Sequence, residues 1–127
     1  MRRIDRERGA AAVEFAMLIP ALLIILLGAI HFGRAFGVRH RLGDATGYAA
    51  RAAAIAGNPA LADNLLRARM AGADCTQIQV ASQAQGVAPY RFLQVSASCT
   101  LPIPLGSALL GNLGLADVRV TATMPMD

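Results

Sequence analysis

The sequence predicts an α+β protein: one long N-terminal helix that crosses a membrane and continues into a small head containing a second helix and a three-stranded antiparallel sheet. Three observations carry that prediction. No charged residue interrupts the run from Phe15 to Ile30. Beyond it, Phe32, Ala35, Phe36, Arg39, Leu42, Ala45, Ala49, Ala52, Ala53 and Ala56 recur at helical spacing. After Gly72 the pattern changes to strict alternation in three segments, the signature of half-buried strands.

The chain has 127 residues, 55% of them hydrophobic, with a mean hydropathy of +0.46. That suits one small domain beside a membrane segment and excludes a disordered chain. The formal charge is +4, but Arg2, Arg3, Arg6 and Arg8 all precede Gly9. No basic stripe interleaved with aromatic residues is present, so the basic pI carries no indication of nucleic acid.

From Ala10 to Phe32 the chain has 23 residues, which at about 1.5 Å per residue cover roughly the 30 Å of a bilayer's hydrocarbon. A removable secretory signal is the alternative, but its apolar region is usually shorter, about 7 to 15 residues, and ends at a small-x-small site. The run here is longer and flows into more helix. Pro20 removes one helical hydrogen bond and is expected to kink the span. Gly33 with Gly37 and Gly43 with Gly47 form small-x-x-x-small pairs, a pattern that lets helices approach closely.

Glu14 is the one acid just inside the apolar helix. Insertion scales put a carboxylate at a helix centre at a cost of about 2.5–3.5 kcal/mol, so a membrane acid is a functional candidate by default, with snorkelling to the headgroups as the plain alternative. His31 and His40 have no further ligand at metal spacing and read as interfacial polar residues.

From residue 34 to 57 the helix is expected to pack its alanine and Leu42 stripe on the head, with Arg34, Arg41, Asp44 and Arg51 toward water and an Arg41–Asp44 pair on its surface. Gly57-Asn58-Pro59 reads as a stop and restart: a glycine C-cap, an asparagine N-cap and a proline at the first helical position. The second helix then covers about Pro59 to Ala71, with Leu61, Leu65 and Ala68 on its buried face.

Thr76, Ile78 and Val80 alternate in the first strand, Leu93, Val95, Ala97 and Cys99 in the second, and Val118, Val120, Ala122 and Met124 in the third. The first two form a hairpin through Gly86 to Pro89. In the link from Thr100 to Ala116, Ile103, Leu105, Leu109, Leu110 and Leu113 either close the core or make a docking patch, around a helical turn from Ser107 to Leu110. Cys75 and Cys99 are the only cysteines and fit one disulfide in an oxidising compartment, a redox pair being the rival. Alternation opposes Thr76 to Cys99, so Cys75 must leave regular strand geometry to reach it.

Basic residues, Gly9, small residues after it, Glu14 as the fifth residue beyond the glycine, and then an apolar helix resemble the class III signal of type IV pilin-like proteins. The stretch RGAAAVEFAMLIPALLIILLGAIHFGR is similar to the TadE-like minor pilins of the tight-adherence (Tad, or Flp) pilus system. It departs from classical type IV pilins, which usually begin their mature chain with phenylalanine where this one has Ala10.

The resemblance implies a leader over 1–9 that a prepilin peptidase removes by cutting between Gly9 and Ala10. A transmembrane helix over 10–33, a helix continuation over 34–57 and an extracytoplasmic head over 58–127 would follow. It also implies a bacterial inner-membrane location with the N-terminus cytoplasmic, although Arg34, Arg39 and Arg41 blunt the positive-inside count. Implied partners are the peptidase, other Tad pilins or minor pilins, and the inner-membrane assembly platform. Glu14 would pair with the new amine of Ala10, its own or a neighbour's, in subunit assembly. The expected function is that of a non-enzymatic structural subunit. The alternative is a static single-pass anchor whose head binds a protein. No nucleophile with a base, paired carboxylates or phosphate loop supports an enzyme, and no cofactor or metal is expected.

Overall fold

The computed structural model describes residues 2–102 and 117–126. Five elements follow one another: α1 Arg2–Ala56, α2 Leu61–Met70, β1 Thr76–Val87, β2 Tyr90–Thr100 and β3 Asp117–Met126. The chain divides into two compact units, Met1–Arg34 and Ala35–Asp127. The class is α+β, with a long apolar N-terminal helix, a second helix and an antiparallel sheet. Residues 103 to 116 of the Thr100 to Ala116 link, with the leucines and the helical turn expected there, lie outside the described residues.

The first unit is the N-terminal part of α1. Its large side chains face outward: Phe15 is 67% exposed and Ile24 71%. The helix is long and apolar enough to cross a membrane, with a mean hydropathy of 2.5 over its most apolar window and none of that window buried.

The second unit has its own core. Val38, Leu42, Ala45, Ala49, Ala50, Ala53 and Ala54 of α1 enter it beside Ala62, Leu66 and Met70 of α2 and the inner face of the sheet. The stripe expected on α1 therefore holds from Leu42 to Ala53. Val38 opens it, whereas Phe36 and Ala56 are exposed. Alanine at so many contacts lets backbones approach closely, at the cost of little apolar area per residue. Thr46 is fully buried, and its hydroxyl donates to the Leu42 carbonyl at 2.6 Å, which satisfies the polar group inside the helix.

Gly57 ends α1 at φ +64. Its N–H donates to the Ala54 carbonyl and the Asn58 N–H to that of Ala53, the paired bonds of a Schellman cap. Asn58 Oδ1 then accepts from the Ala60 N–H at 3.1 Å, so the restart begins where a side-chain cap was expected. The α-helix itself starts only at Leu61.

The buried face of α2 differs from the expected one. Ala62, Leu66 and Met70 are inside, Leu61 and Leu65 flank them, and Ala68 is exposed. Leucines at 61, 65 and 66 span a stripe wide enough for two neighbouring faces, and contact with β1 selects the one on which Met70 also lands. Arg41 does not pair with Asp44. Its Nη2 donates to the Ala71 carbonyl at 3.1 Å, a cation placed at the negative end of α2. Arg69 stacks 3.8 Å over the ring of Tyr48, so two arginines tie α2 to α1.

The strands form one antiparallel sheet in the order β1-β2-β3. Central β2 buries Leu93, Val95, Ala97 and Cys99, with Val118 and Met126 from β3 beside them. The hairpin is tighter than expected, because Val87 pairs with Tyr90 and leaves only Ala88 and Pro89 in the turn. Gly86 precedes that turn at φ +97, where a β-carbon would collide with the Tyr90 carbonyl, so glycine is required there.

The expected register is corrected as well. Thr76 opposes Thr100 rather than Cys99, and from Gln79 onward the pairing shifts by one, Gln79 to Ser98. The extra residue is accommodated at Gln77, which has φ 52, as in a β-bulge. Had the pairing continued without it, Cys75 would face away from Cys99, because a one-residue slip reverses every side chain. The bulge turns Cys75 inward, and the two cysteines are disulfide-bonded with their Cα atoms 5.8 Å apart. At the same end, Thr76 donates to the Thr100 carbonyl at 3.1 Å and Thr100 to Asp117 at 3.0 Å.

Two predictions follow from this core. Leu66→Ala should destabilise the folded head by about 2–5 kcal/mol, as for other buried leucines. Ala68→Ser should stay within about 0.5 kcal/mol, as for exposed positions. Urea denaturation of the detergent-solubilised chain distinguishes this face from the Leu61, Leu65 and Ala68 alternative, which reverses the ranking. For the disulfide, the 24-residue separation corresponds to about 3 kcal/mol in the chain-entropy account. Reduction should lower the denaturation midpoint accordingly, and the unfolded, unreduced protein should take up no alkylating reagent.

Candidate functional site: the N-terminal segment of the long helix

The residues singled out for processing and assembly, and Pro20, lie in the first unit, whereas Cys75 and Cys99 lie in the second. Gly9, Ala10 and Glu14 are helical and exposed. Ala10 and Glu14 are four residues apart, about 6 Å along the axis and on the same face. Among the described side chains the ion pair formed is Arg67 with Asp63, at 2.8 Å, and none involves Glu14. Its carboxylate stands on an exposed, apolar stretch of helix.

Pro20 sits inside α1, and the helical assignment continues through it without a break. Gly28, Gly33, Gly37, Gly43 and Gly47 have nothing within 4 Å of where a β-carbon would stand. Among the described residues nothing packs directly against the small-x-x-x-small pairs at those positions. Near the end of the apolar run, His31 Nε2 is buried without a hydrogen-bond partner among the described residues. It is not joined by metal-ligating neighbours: among the described residues no three His, Cys, Asp or Glu gather.

One arrangement escaped the sequence. An open hollow of about 640 Å³ is lined by Phe36, Arg39, His40 and Asp44 of α1 and by Arg119 and Thr121 of β3. By sequence Arg39 belongs to the helically spaced stripe, His40 reads as an interfacial polar residue, and Arg119 as an outward residue of an alternating strand. Nothing local links residues some 80 positions apart in the chain; only the packing of β3 beside α1 brings them together.

The arrangement in the first unit is a binding surface of low polarity with one acid near its start, suited to lipid and to other apolar helices. No match to this chain is found among curated proteins or among solved structures. Residues 9–51, the segment from Gly9 through the apolar run, match the model of the family described as TadE-like protein, so the chain carries the TadE-like segment that its N-terminal residues resemble.

Proposed function

We propose that this protein is a minor pilin or pseudopilin, a non-enzymatic structural subunit that enters or primes a Tad-type adhesive pilus. The observation that carries the reading is the TadE-like match, which begins at Gly9 and takes in Ala10, Glu14 and the whole apolar run. In this reading a prepilin peptidase removes residues 1–9 on the cytoplasmic side of the bacterial inner membrane. The span holds the subunit there with its head outside the cytoplasm, where the Cys75–Cys99 disulfide can form. The assembly platform then moves it into contact with other pilins.

Physical reasons support each step. The segment after Gly9 has apolar side chains that no described residue covers, so the mature subunit is stable either in lipid or among other apolar helices, and transfer between the two costs little. Cleavage creates a cation at Ala10 within one turn of Glu14. In a medium of low polarity an unpaired carboxylate is expensive, and a contact pair is worth several kcal/mol even after screening. A neighbour's amine can serve as well as the subunit's own, which would set register between subunits.

Protein purified from its native membrane should begin at Ala10, and Gly9 replaced by a bulky residue should leave the precursor uncut. An N-terminus at Met1 or Arg2 would overturn the proposal in favour of a static anchor, and a start near Gly28 or Gly33 would indicate an ordinary signal peptide. Glu14→Ala and Glu14→Gln should leave membrane content unchanged, since either makes the helix more apolar. Piliation and crosslinking to other pilins should fall at least tenfold, the effect of losing about 1.4 kcal/mol or more of pairing. Normal piliation at normal protein level removes Glu14 from assembly.

A further inference from the structure

We infer that the hollow between α1 and β3 is a binding site for the headgroup of an anionic phospholipid. Arg39 and His40 of α1 and Arg119 of β3 all line one open space, so two elements far apart in sequence meet there. Asp44 lines it too, yet among the described residues neither arginine forms an ion pair with it. The planar, forked donors of a guanidinium match phosphate oxygens. Thr121 also lines the hollow. Phe36 supplies an apolar wall and stands 5.8 Å, centroid to centroid, from the His40 ring.

The place of these residues in the chain selects the lipid. Phe36 and Arg39 follow Phe32, at the end of the apolar run, by four and seven residues of α1. At about 1.5 Å per residue that is roughly 6 and 10 Å along the helix, at and just beyond the outer boundary of a headgroup layer about 5–7 Å thick. An exposed aromatic residue and then arginines at that depth match what interfaces select. Free phosphate would satisfy the arginines but makes no use of Phe36. Arg119 also borders a second hollow on the outer face of the sheet, so it sits on a rim from which it can turn inward to a bound phosphate.

The inference rests on α1 crossing a membrane, and its test separates the two. The full chain is reconstituted into vesicles of phosphatidylcholine alone or mixed with phosphatidylglycerol, and lipids retained on the extracted protein are counted by native mass spectrometry. Failure to stay with the vesicles in alkaline carbonate would refute the anchor itself. If the chain stays, phosphatidylglycerol should be enriched. Arg39→Gln and Arg119→Gln should each lower that enrichment about fivefold, the effect of one basic residue at an anionic surface. Arg119→Lys should restore most of it, and Asp44→Asn should raise it, a gain that a misfolded variant cannot imitate.

A loss with Arg39→Gln but none with Arg119→Gln would reduce the site to ordinary juxtamembrane charge and overturn the proposal. Full displacement of the lipid by millimolar inorganic phosphate would overturn it as well, in favour of a free-anion site.

Discussion

The structure depends on a long apolar helix that the described residues leave uncovered along its first unit. Along the first unit of α1, Phe15, Leu22, Ile24, Ile25 and their neighbours present most of their surface outward. Each large side chain brought from water into an apolar medium gains about 1.5–3 kcal/mol, whereas the single acid Glu14 costs about 2.5–3.5 kcal/mol even at the worst depth. The sum strongly favours lipid or other apolar helices over water. Glu14 stands against that trend at a modest penalty that its removal would relieve.

The head solves a different problem with few resources. Its α1 contacts are mostly alanine, which buries little area per residue, so close approach and covalent closure must make up for bulk. The Schellman cap at Gly57 and the asparagine restart let α1 turn into α2 without stranding backbone donors. Arg41 on the Ala71 carbonyl and Arg69 on Tyr48 hold α2 in place. At the far end of the hairpin, the bulge at Gln77 brings Cys75 round to the disulfide. One irregular residue thus decides whether the covalent tie exists at all, since the side-chain period of a strand is two.

The two units differ in what they ask of neighbours. From Ala10 onward the first leaves apolar surface with Glu14 as its one acid. In the second, the buried threonine is bonded and the three strands are paired.

The sequence alone determined the long helix, the class of the fold, the break at Gly57-Asn58-Pro59, the strand segments and the two cysteines. These rest on local chemistry: uninterrupted apolar length, periods of 3.6 and 2, and the capping habits of glycine, asparagine and proline. It also carried the TadE-like pattern around Gly9 and Glu14, because that pattern lies within a few consecutive residues. Tertiary structure decided which of two leucine faces α2 buries, where Arg41 points, how the strands register and that Arg119 joins Arg39 and His40. Those outcomes depend on which surfaces meet across long separations in the chain. A wide leucine stripe, a flexible arginine and a one-residue bulge each have two locally equivalent solutions, and only packing against a neighbour makes one of them lower in free energy.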